Sequence, residues 1–436
     1  MFSLTCRPRS VDAGEECAPG GTGALARWVR TAAVGAVAFL GAEAADFEDF
    51  LSHDFGGFTF HPQLDVSEAF TDNLTYSQST AKVADLQSTF APGLRILRGD
   101  SQGNRAAVEA THDEIVFLDN SAFNYRQNHL KANGLFSTSR LTFEPTENYE
   151  QLSGFLGGVI GQGGTINFAP RRRDVWSGTL RTTYGWTDRT QLYADFSHYQ
   201  TDWAKDVALY DYNTLRGAIG GNYSATDRIN LFSEVFYGQS GVSANQLNQP
   251  RGVASATYGT FVGARGEFTT RFSGTAKVGV ENRDFFEQGR SGILIPAFDL
   301  DLRFQFTEAT AMQLQYSRRT SPSLNLGGQN VTSDAVSLIA SHTLDESGRW
   351  LVKGTTSYQL ADYNNTALTG RPSTARTDDF STAELALHYQ PRPWVTASMG
   401  YAFEYYHVNF ANPLLALRSL TGYQANRVFL NLSLGF

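Results

Sequence analysis

The sequence predicts an all-β chain, a transmembrane antiparallel up-and-down β-barrel of about eighteen strands. Three observations predict it. Apolar and polar residues alternate with a period of two over many long segments. Turn-forming clusters separate those segments, and short connections alternate with long ones. Of 436 residues only 18% are charged, while 13% are aromatic and 41 are glycine. A disordered chain would lack the aromatic content. No stretch of the sequence holds about eighteen consecutive apolar residues, so a helical membrane protein is excluded.

Residues 1–44 read as a leader and signal peptide. Arg27 and Arg30 precede a run of small and apolar residues ending at Leu40, and Ala42 and Ala44 occupy the positions of an A-x-A cleavage site. Cys6 and Cys17, the two cysteines of the chain, both lie in this leader. The expected mature chain therefore has no disulfide to rely on. A short periplasmic segment is expected over 45–56 and a single barrel over 57–436. The formal net charge is −8, and the basic run Arg171-Arg172-Arg173 is followed at once by Asp174. Three arginines in an acidic chain are a poor footprint for nucleic acid, so no nucleic-acid partner is expected.

The strands are expected at 57–71, 86–98, 104–117, 124–136, 140–151, 172–185, 190–203, 208–223 and 228–239. The second half continues with 254–267, 272–283, 293–306, 311–319, 331–342, 350–361, 378–389, 394–407 and 423–436. The third to fifth have the weakest alternation, so sixteen strands is the alternative. An even number returns both termini to the same side of the membrane. In the last strand Val428, Leu430, Leu432, Leu434 and Phe436 share one face, Arg427, Asn431, Ser433 and Gly435 share the other, and Phe429 breaks the pattern. Tight turns such as Thr187-Asp188-Arg189, Thr226-Asp227-Arg228 and Asp345-Glu346-Ser347-Gly348 carry the residues whose side chains cap turns. The long connections are 153–170, 240–252, 284–292, 320–330, 363–375 and 408–420, with 153–170 and 408–420 expected to fold inward. Pro62, Pro92, Pro145 and Pro296 fall inside strands and predict bulges or shifts of register. A propeller would need a repeated blade motif, and none is present.

A terminal Phe after alternating apolar residues looks like the assembly signal of bacterial outer-membrane barrels. That implies outer-membrane lipid and the barrel-assembly machinery as partners. Phe60-x-Pro62-x-Leu64-x-Val66-x-Glu68 with Asp72-Asn73, followed by Phe90-x-Pro92-x-Leu94, resembles the opening of a family of outer-membrane barrels found with exopolysaccharide-biosynthesis genes. The resemblance implies export of a polysaccharide cargo through a porin-like channel, with a periplasmic polysaccharide-export protein as partner. It implies no catalytic residue.

Nor do the residues themselves suggest catalysis, a metal or a cofactor. Gly99-Asp100-Ser101-Gln102-Gly103 spells G-x-S-x-G but reads as a tight turn between two strands and not as the strand-to-helix turn of a nucleophile elbow, and the Gly-rich stretch from Gly154 to Gly164 lacks the Lys-Ser/Thr of a phosphate loop. His198, His388 and His407 stand singly in or beside strands. The polar face of the alternation instead predicts a lumen lined by Asp65, Arg95, Glu109, Asp113, Lys131, Asp195, Arg216, Glu234, Arg265, Lys277, Glu281, Asp299, Asp301, Arg303, Arg319, Lys353, Glu384 and Glu404. Tyr193, Phe232, Phe261 and Tyr406 are expected on the same face. Mixed signs argue against strong ion selectivity. The leading expectation is a channel exporting an exopolysaccharide. The alternatives are a general diffusion porin for small solutes and a lipid-modifying barrel enzyme.

Overall fold

The computed structural model describes residues 53–77, 82–99, 103–156, 167–204, 211–243, 253–286, 292–322, 330–364, 376–410 and 422–435. The expected signal peptide, the cleavage positions Ala42 and Ala44, and the terminal Phe436 lie outside them. So do the middles of the long connections, including most of 153–170 and 408–420.

Nineteen strands form one antiparallel sheet. A short β1 (His53–Phe55) leads into β2 (Phe58–Thr71), β3 (Asp85–Gly99), β4 (Arg105–Phe117), β5 (Tyr125–Ser137), β6 (Leu141–Leu156) and β7 (Asn167–Gly185). Then come β8 (Thr190–Trp203), β9 (Asp211–Ser224), β10 (Ile229–Ser243), β11 (Val253–Thr269), β12 (Phe272–Phe285) and β13 (Ile293–Gln305). The chain ends with β14 (Thr310–Pro322), β15 (Asn330–Thr343), β16 (Trp350–Asn364), β17 (Arg376–Arg392), β18 (Val395–Phe410) and β19 (Gly422–Leu434). Each strand pairs with its neighbour in sequence, and β19 pairs back onto β2. The eighteen strands β2–β19 therefore close into a barrel, and every strand expected from the sequence is present. Closure matters because lipid offers no partner to an unpaired backbone group.

Directly paired residues point to the same face, so the register assigns every side chain. One face carries Leu94, Val108, Leu130, Phe196, Ile219, Val235, Val262, Leu294, Leu385 and Val428, all well exposed, with Ile219 at 67% and Leu294 at 70%. Such a continuous exposed apolar surface fits acyl chains and not water. The opposite face holds the buried clusters and most of the charge, and it is the lumen.

A repeated contact marks the outer edge of the apolar band. Tyr149, Tyr258, Tyr316, Tyr358 and Tyr401 each donate their hydroxyl to Asp174, Asp284, Asp334, Asp379 and Asn426, at 3.3, 2.8, 2.7, 2.6 and 2.6 Å. In all five the acceptor lies on the next strand, one diagonal step toward the long-connection end. A ring in the band with its hydroxyl in the wet zone is the arrangement of an interfacial aromatic belt.

Threonine hydroxyls hold the tight turns at the other end. Thr187 Oγ1 accepts the N–H groups of Arg189 and Thr190, and Thr226 Oγ1 those of Arg228 and Ile229. The T-D-R sequence is thus a local hydrogen-bonding device. Asp345 plays the same part for Trp350 and Ser347, and the Ser347 bond leads those that hold its carboxyl below the usual range.

One expectation needs correction. The four strand prolines cause no register shift. Pro62 lies beyond the last residue of β2 paired with β19, and Pro296 beyond the part of β13 paired with β14. At Pro92 and Pro145 the β3–β4 and β5–β6 ladders simply skip two pairs and resume in register. Each missing N–H thus falls where no ladder bond is made. The irregularities sit instead at Gly154/Leu156, Glu267/Thr269 and Tyr389/Arg392. Phe429, the break in the last strand, faces the lumen among Ala69, Ala386 and Ala402. Gly400 opposite leaves room for its ring, which a Cβ would approach to 2.5 Å. Val428, Leu430, Leu432 and Leu434 share the outward face.

Replacing Thr226 by Val removes two hydrogen bonds at a solvent-exposed turn, worth about 1 kcal/mol each at most. The urea midpoint for unfolding from lipid vesicles should fall, with the barrel still assembling.

Candidate functional site

The register places all eighteen charged residues expected in the lumen on one face of the sheet. Tyr193, Phe232, Phe261 and Tyr406 lie there too. Glu109 sits between Arg95 and Lys131 in a cross-strand row. Asp113 is 3.1 Å from the His129 ring, and the side-chain amides of Gln313 and Gln315 donate to Asp301. Of the three single histidines, His388 faces the lumen, while His198 and His407 face outward.

One stretch of wall is continuous from β7 to β14. The Arg181 guanidinium lies 4.5 Å over the Tyr193 ring and 3.7 Å from Asp195. Tyr193 donates its hydroxyl to Glu234, which also takes Arg216 at 2.7 Å. Arg216 covers Phe236 at 4.4 Å, and Phe236 stacks on Phe261 at 5.5 Å. Lys277 lies 5.1 Å over Phe261 and 3.5 Å from Asp299, which also takes Arg319. Cations alternate with rings and carboxylates, so each charge is compensated and each ring has a cationic face.

Above this stretch is a cleft of about 230 Å³ lined by Arg216, Phe236, Glu281, Arg283 and Arg319. Arg283 donates to Ser255 Oγ at 3.0 Å and to the Thr320 carbonyl at 3.1 Å, and Glu281 accepts the Thr320 N–H and hydroxyl. The Thr257 and Ser321 hydroxyls line the same cleft without a protein partner. The alternation of β12 and β17 could have identified Arg283 and Arg376 as lumen residues, because each shares the parity of a residue already assigned on its own strand, whereas Arg181 is placed only by its pairing with Asp195.

Among the described residues the connection 72–77 folds inward, and the two expected to do so, 153–170 and 408–420, lie mostly outside the described residues. Asn73 is fully buried. Its amide donates to the carbonyls of Ser77 and Gln424 at 2.7 and 2.8 Å, and its oxygen accepts the Ser77 N–H at 2.8 Å. Leu74 packs with Ile115 and Phe117 at the top of β4, and Tyr76 packs on Tyr423 of β19 at 4.9 Å. Tyr76 is held at a φ of +51°, a left-handed conformation uncommon for an aromatic residue. Beside it, Asp378 is fully buried and accepts from Arg376, Tyr363 and Tyr406 at 2.5, 3.1 and 2.7 Å. Every charge in that cluster is paired, as its burial demands. Asp72 fixes the root of the connection by accepting from the Asn426 N–H, the Asn426 amide and Lys82. Burial pushes the Asp72 carboxyl up, but those hydrogen bonds outweigh it and hold it below its ordinary value.

A closed barrel of an even number of antiparallel strands, banded outside by apolar residues and lined inside by charge, is a protein of the bacterial outer membrane. Among solved structures the chain is similar to the Pseudomonas aeruginosa protein OccK3 (OpdO), at 15% identity over 86% of this chain and 96% of that one, with a TM-score of 0.45. It is also similar to Acinetobacter baumannii OccAB3, at 12% identity over 88% and 100% of the two chains and a TM-score of 0.43. The siderophore receptor PirA of P. aeruginosa matches at 8% identity over 86% and 80%, with a TM-score of 0.42. At these scores the likeness decides no cargo. No family model and no curated protein matches the sequence, so nothing here supports the exopolysaccharide association implied by residues 60–94.

Replacing Asn73 by Ala removes three hydrogen bonds from a buried site, roughly 3 kcal/mol in total. Planar-bilayer recordings should show a larger and noisier conductance. Acid should act in the same direction. A carboxyl held low contributes stability that is complete above the ordinary carboxylate range and is lost as pH falls through the lowered value. Conductance should therefore stay constant from neutral pH down to about pH 4 and rise below it.

Proposed function

We propose that this barrel is a diffusion channel for small hydrophilic solutes. The observation that carries the reading is the inward connection 72–77, anchored by Asn73 and packed on the lumen face through Leu74 against β4 and through Tyr76 against β19. A connection pinned in that way narrows the outer mouth. Passage of a polymer would require it to leave a buried, fully hydrogen-bonded position. Small solutes need no such rearrangement. The compensated wall from Arg181 to Arg319 supports the same reading, since it offers hydrogen bonds to hydrated solutes of either sign without a deep trap for one of them.

Export of an exopolysaccharide is the second reading. It rests on the resemblance of residues 60–94 and requires displacement of the 72–77 connection by a partner. The lipid-modifying alternative has less behind it. A lipid-directed nucleophile would sit on the outer face beside an imidazole, but the two outward histidines His198 and His407 are hydrogen-bonded to Glu147 and Asn409 and not to a hydroxyl.

Liposome swelling with the purified protein separates the first two readings. Monosaccharides and disaccharides should enter, with rates falling steeply with size, and a long oligosaccharide should be excluded. Equal entry of the long oligosaccharide would transfer support to polymer export. No swelling with any sugar would overturn the diffusion channel.

A further inference from the structure

The apolar outer band is interrupted on β6–β8. Glu147 and His198 point outward, and their Oε2 and Nε2 atoms are 3.1 Å apart. The pair reaches across β7 over Gly178, where a Cβ would collide with both the carboxylate and the imidazole ring. Glu147 lies two residues from Tyr149, and Gly178 two residues from Trp176, each on the hydrocarbon side of the aromatic belt. The polar pair therefore sits within the acyl-chain zone. Yet the side chains of Glu147 and His198 remain 45% and 33% exposed. Whatever the location of its proton, a carboxyl–imidazole pair left facing hydrocarbon costs free energy. Another carboxylate in the band, Glu68, differs because Ser88 on the adjacent strand donates to it at 2.8 Å.

Around the pair lie the features of a protein interface. Tyr149 packs against Trp176 with ring centroids 4.7 Å apart and the planes tilted by 48°, and both flank the pair on its outer side. Leu180 and Phe196 flank it on the inner side, 41% and 44% exposed. An aromatic and aliphatic rim around a central polar group is how binding energy is usually distributed at an interface. The partner must be protein, because at this depth lipid presents only acyl chains.

We propose that this outer face of β6–β8 docks a second copy of the same chain in the plane of the membrane. The pair carries both halves of its own complement. A twofold axis along the membrane normal beside it sets each carboxylate against the imidazole of the other copy, at a common depth, because both copies share one insertion direction. Two exposed pairs then become a closed ring of four groups shielded from lipid. The patch needs no second surface, which is the requirement of an isologous contact.

Cysteine cross-linking in the native outer membrane tests this, on the full chain with Cys6 and Cys17 replaced by Ser. Leu180→Cys sits beside the proposed axis, and Leu294→Cys on the distant β13 wall, 70% exposed, is the control. Oxidation should give a covalent dimer of this chain for Leu180→Cys, at least about tenfold above the control. Adding Glu147→Leu with His198→Leu should cut that yield about tenfold, while heat-modifiable electrophoretic mobility shows that the barrel still assembles. Gly178→Ala, which displaces the pair without removing it, should reduce the yield as well. Equal yields at positions 180 and 294, a cross-link to a different protein, or a dimer indifferent to the double replacement would each overturn the proposal.

Discussion

Closure of the hydrogen-bond ladder between β19 and β2 is the constraint on which the rest of the molecule depends. The seam is made of eight residue pairs, from Arg427↔Thr71 to Leu434↔Leu64, whereas β2 and β3 share fourteen. It is short because β2 runs on toward the periplasm after β19 has ended. The hairpin to β1 partly covers that overhang by pairing His53, Asp54 and Phe55 with Phe60, Thr59 and Phe58. An open edge at this position would expose backbone donors and acceptors to lipid, and nothing in lipid could satisfy them.

The same seam organises the mouth. Asp72 follows the last seam residue of β2 and is bound by Asn426 from across it, while Asn73 bonds the Gln424 carbonyl. The connection 72–77 is therefore fixed by the closure itself and not by a separate domain. Closing the barrel and narrowing its outer end are two results of one group of hydrogen bonds. The buried set of Arg376, Asp378, Tyr363 and Tyr406 stands beside it, so the inward chain meets a wall whose polar groups are already satisfied.

The two faces of the sheet obey opposite rules. Outside, polarity is concentrated in the belt, where tyrosine hydroxyls reach acceptors in the wet zone, and Glu147 with His198 and Glu68 with Ser88 depart from that rule. Inside, charge is admitted freely but each member of the Arg181–Arg319 stretch is compensated by a ring or a counter-charge. Glycine serves both faces by leaving space where a side chain from a neighbouring strand must cross, as Gly178 does for the outer pair and Gly400 for Phe429.

The sequence by itself determined an up-and-down barrel of sixteen or eighteen strands and which residues of each strand share a face, and the structure decided for eighteen. A period of two is a local property, and once one face is apolar a slip of a single residue would turn every side chain to the wrong side. Asp299, Arg303, Val428 and Leu430 could be assigned from that alternation alone. Only the tertiary structure decided which residues meet. Arg216 and Glu234 are eighteen positions apart and Asn73 and Gln424 are 351 apart, and such contacts arise from register between strands and from ring closure. The same is true of Glu147 and His198, which are individually unremarkable in the sequence and become a pair because β7 places a glycine between them. Proline acted in the opposite direction. Its lost N–H predicted distortion locally, but whether a ladder bond was needed at that point depended on strands far away in the chain.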